Sequence, residues 1–262
     1  MNEPVPDLTL TVLGSGTCVP NLARSSCSVL VETGGLKWLI DSGAGTLRRL
    51  LEAGTTIFEL SFLLYSHLHP DHTADLVPLL FATKYPDGTG RTEPLTIVAG
   101  RGFADFFDRL KQAYGQWIDI DANLLKIIEM DVAGRDRLRL AGVAIDTAPM
   151  EHTPQSVAFR LTGPGGRSLV YSGDTDYSEQ LVDLARKADL LICEAAFPDS
   201  RKVRGHLTPA LAGEIAARAG VHRLMLTHFY PVCDQTDVEA ECRRTYQGPL
   251  ILAQDLMHIV LD

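Results

Sequence analysis

The stretch from Ser61 to His72 constrains this chain more than any other. Phe62 to Tyr65 has the length and composition of a buried strand, and it stops abruptly at four side chains able to ligate a metal: His67, His69, Asp71 and His72. Pro70 argues against a helix through them, which sets the pattern apart from a helical His-Glu-x-x-His, where both histidines share one face. In an extended loop, two of the groups turn toward one ion and two toward a neighbour. The spacing predicts a pair of metals.

The rest of the chain repeats the design of an apolar run that ends in a polar group. Strands are expected at 8–13, 27–32 and 36–40, the last two joined by a Gly34-Gly35 hairpin turn. Gly14-Ser15-Gly16-Thr17 lacks the third glycine of a dinucleotide fingerprint and reads as a plain turn. Asp41 follows Trp38-Leu39-Ile40 and is either the N-cap of a helix near 46–53 or a partner that holds a ligand histidine in one tautomer. Lys84 to Pro94 reads as an irregular loop, and Trp117 as a packing residue. His152 comes after strand-like 143–149, and Asp174 after the strand Ser168 to Tyr171, where a carboxylate is able to bridge two cations. Ser178 is expected to cap a helix reaching Lys187, and a strand from Asp189 to Cys193 delivers Glu194.

His206 precedes a helix start at Thr208-Pro209, beside the basic loop Arg201-Lys202-Val203-Arg204. A helix start next to basic side chains welcomes an anion, so Arg201, Lys202, Arg204 and Thr208 are the candidate substrate contacts, with a solvated loop as the alternative. The strand Leu224 to Thr227 ends in His228. Thr236 with Glu239 reads as a capping box, and strands near 250–254 and 256–261 are expected to pair at the end of the chain. Strands alternating with helices in both halves, with ligands at strand ends, predict an α/β fold: a four-layer αβ/βα sandwich in one domain over 1–262.

Imidazole-rich donors without thiolate suit zinc first, with manganese or iron as alternatives. His67, His69, His152 and Asp174 would hold one ion, and Asp71, His72, His228 and Asp174 the other. Such a pair supports hydrolysis by activating water. Asp71 is placed to handle the nucleophile's proton as well as to bind metal. His206 with Glu194 would protonate the leaving group, unless His206 is a simple helix cap. His222 and His258 are assigned to the surface or to packing.

The net charge of −9 works against a general affinity for long nucleic acids. The five cysteines are scattered and never spaced Cys-x-x-Cys, as expected of reduced thiols in a cytosol. No leader and no bilayer-spanning run is apparent, so the expectation is a cytoplasmic protein away from membranes.

The His-x-His-x-Asp-His cluster resembles the signature of the metallo-β-lactamase superfamily. Leu39-Ile40-Asp41-Ser42-Gly43, His152, Ser172-Gly173-Asp174-Thr175, Glu194-Ala195-Ala196-Phe197, His206-Leu207-Thr208 and Leu226-Thr227-His228-Phe229 are similar to its ribonuclease Z branch, as is Leu13-Gly14-Ser15-Gly16 with Pro20 and Arg24. The resemblance implies the seven ligands above, Glu194 and His206 as the proton-donating pair, and a tendency to form homodimers. Members that trim transfer RNA carry a long Gly/Pro-rich arm between the positions matching His152 and Asp174. Only 21 residues lie there in this chain, and Thr73-Ala74-Asp75-Leu76 departs from the glycine-rich form expected after the cluster. The expected activity is therefore hydrolysis of a small or cyclic phosphodiester. Transfer-RNA 3' processing comes second, and a lactone, thioester or sulfate ester third. A non-catalytic RNA-binding scaffold is disfavoured by the intact ligand set.

Overall fold

Alternation of apolar residues with period two sends successive side chains to opposite faces of a sheet, and here both faces are covered. The computed structural model describes residues 7–84 and 90–261. One sheet runs, in spatial order, through β1 (Leu8–Gly14), β2 (Ser28–Thr33), β3 (Leu36–Ile40), β4 (Leu60–Tyr65), β5 (Leu95–Gly100) and β6 (Leu125–Met130), with β14 (His258–Leu261) outside β1. The other runs through β7 (Asp136–Leu140), β8 (Val143–Pro149), β9 (Val157–Thr162), β10 (Ser168–Tyr171), β11 (Leu190–Glu194), β12 (Leu224–Thr227) and β13 (Leu250–Leu252). Pairing is parallel from β3 to β6 and from β10 to β13, and antiparallel elsewhere.

The alternation sorts the core into three slabs. Trp38, Ile40, Phe62 and Leu64 of the first sheet meet Phe159, Leu161, Tyr171 and Ile192 of the second. Their neighbours Leu39, Leu63 and Ile97 face outward onto α1 (Thr46–Glu52), α3 (Leu76–Lys84) and α4 (Phe103–Tyr114). On the other side Val170, Leu191 and Leu226 pack under α5 (Glu179–Leu184), α6 (Pro209–Ala219) and α7 (Val238–Arg243). This is the expected four-layer sandwich. Trp38 is fully buried and stacked on Phe62 with ring centroids 3.8 Å apart, so its truncation to Ala would cost about 3–5 kcal/mol. Among the described residues, no helix is long and apolar enough to cross a membrane.

Four local expectations are corrected. Pro70 does not exclude a helix: it occupies the first position of a one-turn helix, α2 (Pro70–Thr73), where its missing N–H costs nothing, and this turn carries Asp71 and His72. Strands β13 and β14 do not pair with each other, because β13 joins β12 and β14 joins β1. The cap of α7 is Asp237, which accepts from the Ala240 N–H at 2.9 Å, while the Thr236 hydroxyl turns back to the Val232 carbonyl. Helix α5 ends at Leu184, short of Lys187. Part of the Lys84–Pro94 loop lies outside the described residues. Trp117 is half exposed, edge-on to Phe81 at 5.9 Å, so packing is only part of its environment.

Candidate metal centre

The two sheets present the carboxyl ends of their strands along one edge, and the polar groups sit there. Asp41 follows β3, His67 and His69 follow β4, His152 follows β8, Asp174 follows β10, Glu194 ends β11 and His228 follows β12. Asp41 and His228 have φ of 56° and 60°, a region that costs a non-glycine residue free energy and tends to mark functional positions. Gly173 also has positive φ, and a Cβ there would lie 2.6 Å from the Ser66 Cβ, so only glycine lets the Asp174 loop approach the His67 loop this closely.

Asp174 is buried at the centre of the cluster. Its Oδ2 lies 3.7 Å from His67 Nε2 and 3.8 Å from His152 Nε2, while its Oδ1 lies 3.3 Å from His72 Nε2 and 3.4 Å from His228 Nε2. Asp71 Oδ2 stands 3.6 Å from His228 Nε2 and 3.9 Å from His72 Nε2. His69 Nδ1 faces His152 Nε2 at 3.1 Å. The ligand atoms of His67, His69, His152 and Asp174 fall within 4.8 Å of one another, as do those of Asp71, His72 and His228. All seven expected ligands thus converge, with one Asp174 oxygen toward each group.

A metal fits this donor set. Nε2 of His67, His72 and His228 and Oδ1 of Asp174 are buried yet make no hydrogen bond, an expensive arrangement unless a cation satisfies them. The far nitrogens are held in a way that aims lone pairs inward. His72 Nδ1 is 2.7 Å from Asp41 Oδ2, and His152 Nδ1 donates to the Gly205 carbonyl at 2.8 Å, so in the neutral ring of each the proton sits on Nδ1. Burial would lower the His72 pKa, but Asp174 and Asp41 outweigh it and hold it well above the usual histidine value, so ligation through its Nε2 would release a proton. Burial pushes His67 and His152 well below or below the usual histidine value, keeping them neutral. Burial opposes ionisation of Asp174, but His228, His72 and His67 outweigh it and hold its carboxyl low.

Asp41 is a hub rather than the cap of α1, whose N-cap is Gly45. Its Oδ1 accepts from the Ser66 N–H, and its Oδ2 from the Ser66 hydroxyl, the Tyr171 hydroxyl and His72. Ser66 and Tyr171 were missed by sequence reasoning. Tyr171 carried one signal, a hydroxyl on the inward face of an alternating strand.

Beside the cluster, His206 Nδ1 is 3.1 Å from Glu194 Oε1 and 3.9 Å from Asp174 Oδ2. Glu194 is fixed by N–H donors from Thr175 at 2.8 Å, Leu207 at 3.1 Å and Ala196 at 3.3 Å. Burial alone would lower the His206 pKa, but the hydrogen bond and charge of Glu194 raise it above 6.5. His206 also groups with Asp174 and His228 within 4.8 Å, close enough to serve as a ligand, while its Nδ1 is within hydrogen-bond distance of Glu194. Phe197 and Tyr230, stacked at 4.4 Å, wall this side.

The candidate substrate contacts are unequal. Lys202 Nζ is committed to Asp176 at 2.9 Å and to the Val203 carbonyl at 2.8 Å, and Thr208 is buried as the N-cap of α6, so neither is presented to an anion. Arg201 and Arg204 are exposed. Arg204 lines an open cavity of about 1080 Å³ together with His152, Glu151 and Tyr177. His222 and His258 lie on the surface, near Asp189 and Thr11 respectively.

Comparison with known proteins places this geometry. A family model described as a beta-lactamase superfamily domain matches residues 37–229. A Mycobacterium marinum protein named ribonuclease Z is 31% identical over 280 residues, covering 96% of this chain and 98% of its own. An uncharacterised protein of Mycobacterium tuberculosis, Rv1339, is 33% identical over 94% of this chain and 89% of its own. The crystal structure of the metallo-beta-lactamase fold protein YhfI from Bacillus subtilis superposes with a TM-score of 0.82 at 25% identity, covering 96% of this chain and 98% of that one.

Proposed function

The chain belongs to the metallo-β-lactamase superfamily, in its ribonuclease Z-like branch of metal-dependent hydrolases, and from that membership we propose that it is a binuclear phosphodiesterase in which His206 and Glu194 protonate the leaving oxygen. The observation that carries the reading is the His206–Glu194 pair at 3.1 Å, directly beside the Asp174 cluster. Hydrolysis of an ester with an alkoxide leaving group needs a proton at that oxygen, and a histidine with raised pKa is matched to the task.

His67, His69, His152 and Asp174 would hold one divalent ion, and Asp71, His72, His228 and Asp174 the other, zinc first and manganese or iron as alternatives. When bound, the ions supply Lewis acidity and bring the pKa of water down to about 7. Asp71 is held ionised by His228 and His72 against the cost of its burial, so it can accept the nucleophile's proton. His206 carries its Nδ1 proton toward Glu194, which leaves Nε2–H to donate to the departing oxygen. Arg204, exposed and lining the cavity beside His152, is the residue of the basic loop best placed for an anionic substrate, with the exposed Arg201 as the other candidate, and the protein is read as cytoplasmic.

Transfer-RNA 3' processing is the second reading, favoured by the relatives named ribonuclease Z. The short His152–Asp174 connection, filled by β9 and β10, and the net charge of −9 weigh against it. Thioester hydrolysis, which expels a weakly basic thiolate, would give the His206–Glu194 pair little to do, whereas a lactone or alkyl sulfate ester expels an alkoxide and is separated from the phosphodiester only by assay. Purified protein is assayed on an alkyl phosphodiester, bis(p-nitrophenyl) phosphate, a lactone and a precursor transfer RNA. His206→Ala should lower alkyl-diester turnover by about 10²–10⁴ while sparing metal content, and lower turnover of the nitrophenyl ester, already a good leaving group, much less. Equal or absent losses on the two diesters would remove the acid assignment.

A further inference from the structure

Two side chains given separate tasks above meet one piece of backbone. The Gly205 carbonyl accepts from His152 Nδ1 at 2.8 Å, and the next residue is His206. On the other side of Gly205, its N–H donates to Asp176 Oδ2 at 2.9 Å. Lys202 Nζ lies 2.9 Å from both oxygens of that carboxylate, so Asp176 ties down the 201–206 loop at two points. Asp176 is itself anchored: its N–H donates to the Glu151 carbonyl at 3.0 Å, and its Oδ1 accepts from the Tyr177 N–H at 2.8 Å. Gly205 has φ of 85°, and a Cβ there would press to 3.2 Å on His152 Nδ1, so the loop runs against the imidazole with no slack.

From this chain of contacts we infer that Asp176 is a positioning residue, a lock that sets the metal-ligating tautomer of His152 and the place of His206 through the same turn at Gly205. The inference rests on the reading of His152 as a ligand. The Lys202 charge, neutralised within the lock, orders the loop and does not meet substrate. Without the carboxylate, the Gly205 peptides are free to swing, the acceptor that keeps the His152 proton on Nδ1 drifts, and the donor one residue later moves with it.

The test uses the full chain stripped of metal and titrated with zinc against a chromophoric chelator, with kcat and KM on an alkyl phosphodiester, the substrate whose leaving oxygen needs the His206 proton, measured for the zinc-loaded protein. Asp176→Ala should weaken one of the two zinc steps about tenfold, the low end for a group that orients a ligand, because it acts through Gly205. It should lower kcat with little change in KM. Asp176→Asn keeps an acceptor for the Gly205 N–H and should recover most of both. Lys202→Met, an exposed change that keeps the measurement available if the alanine variant does not fold, should weaken the same step roughly two- to threefold. Unchanged zinc steps in both Asp176→Ala and Lys202→Met, or an asparagine variant no better than alanine, would overturn the lock alone. Wild-type protein that takes up no zinc would overturn the metal reading and the lock together.

Discussion

Asp41→Asn isolates how a ligand is aimed. The φ of 56° at this position is one that asparagine tolerates, and the side-chain shape is unchanged, so the fold should survive. Alanine would instead leave four buried donors without an acceptor: the Ser66 N–H, the Ser66 and Tyr171 hydroxyls and His72 Nδ1. In the asparagine variant the oxygen must stay where it accepts from the Ser66 N–H at 2.8 Å, because an amide nitrogen there would meet another donor. The NH₂ group then faces His72 Nδ1 at 2.7 Å. The hydroxyls can rotate to accept from it, but His72 accepts only by moving its proton to Nε2, the atom turned toward Asp174. A protonated Nε2 cannot ligate. Groups that orient ligand histidines are worth about 10–100-fold in metal affinity, or about 1.4–2.7 kcal/mol. Zinc titration of the stripped variant should show one step weakened by that factor with a circular dichroism spectrum like wild type. Two unaltered zinc steps in folded Asp41→Asn would refute the tautomer argument.

Further outcomes follow from the same geometry. If protonated His206 is the donor, as proposed, the pH profile of alkyl-diester turnover should fall on the alkaline side: despite burial, Glu194 raises its pKa from the ordinary value, and the donor is lost as pH rises through that raised value. Glu194→Gln removes the charge that raises it, so the falling limb should move to lower pH; a limb that stays in place would count against the pairing. Chelation of the metal should lower the melting temperature by on the order of 10 °C, since ions bound only by the folded state at a thousandfold excess over Kd contribute about 4 kcal/mol, and an unchanged transition would mean no such linkage. Gly173→Ala places a Cβ 2.6 Å from the Ser66 Cβ at positive φ and should cost both stability and zinc affinity, measured by denaturant unfolding and the same titration.

The sandwich was legible because its strands are strongly apolar and alternate, and the candidate ligands because each follows such a strand. What the sequence hid was longer in range or finer in scale. Strands β13 and β14 are neighbours in the chain but belong to different sheets, and nothing local distinguishes a closing hairpin from two separate pairings. The cap of α7 is displaced by one residue, from Thr236 to Asp237, because both side chains are competent to cap. Pro70 breaks a helix interior but opens a helix comfortably, so its presence could not exclude the single turn that carries Asp71 and His72. Tyr171 meets Asp41 130 positions away, and Asp176 meets Gly205 and Lys202 29 and 26 positions away, separations that no spacing rule reaches.

Elemental analysis of the purified, unstripped protein tests the central claim most directly. The account predicts two divalent ions per chain, falling in Asp174→Ala, where the one side chain turned to both groups of imidazoles is gone. A wild-type protein that carries no transition metal and takes up none on exposure to zinc or manganese would contradict it.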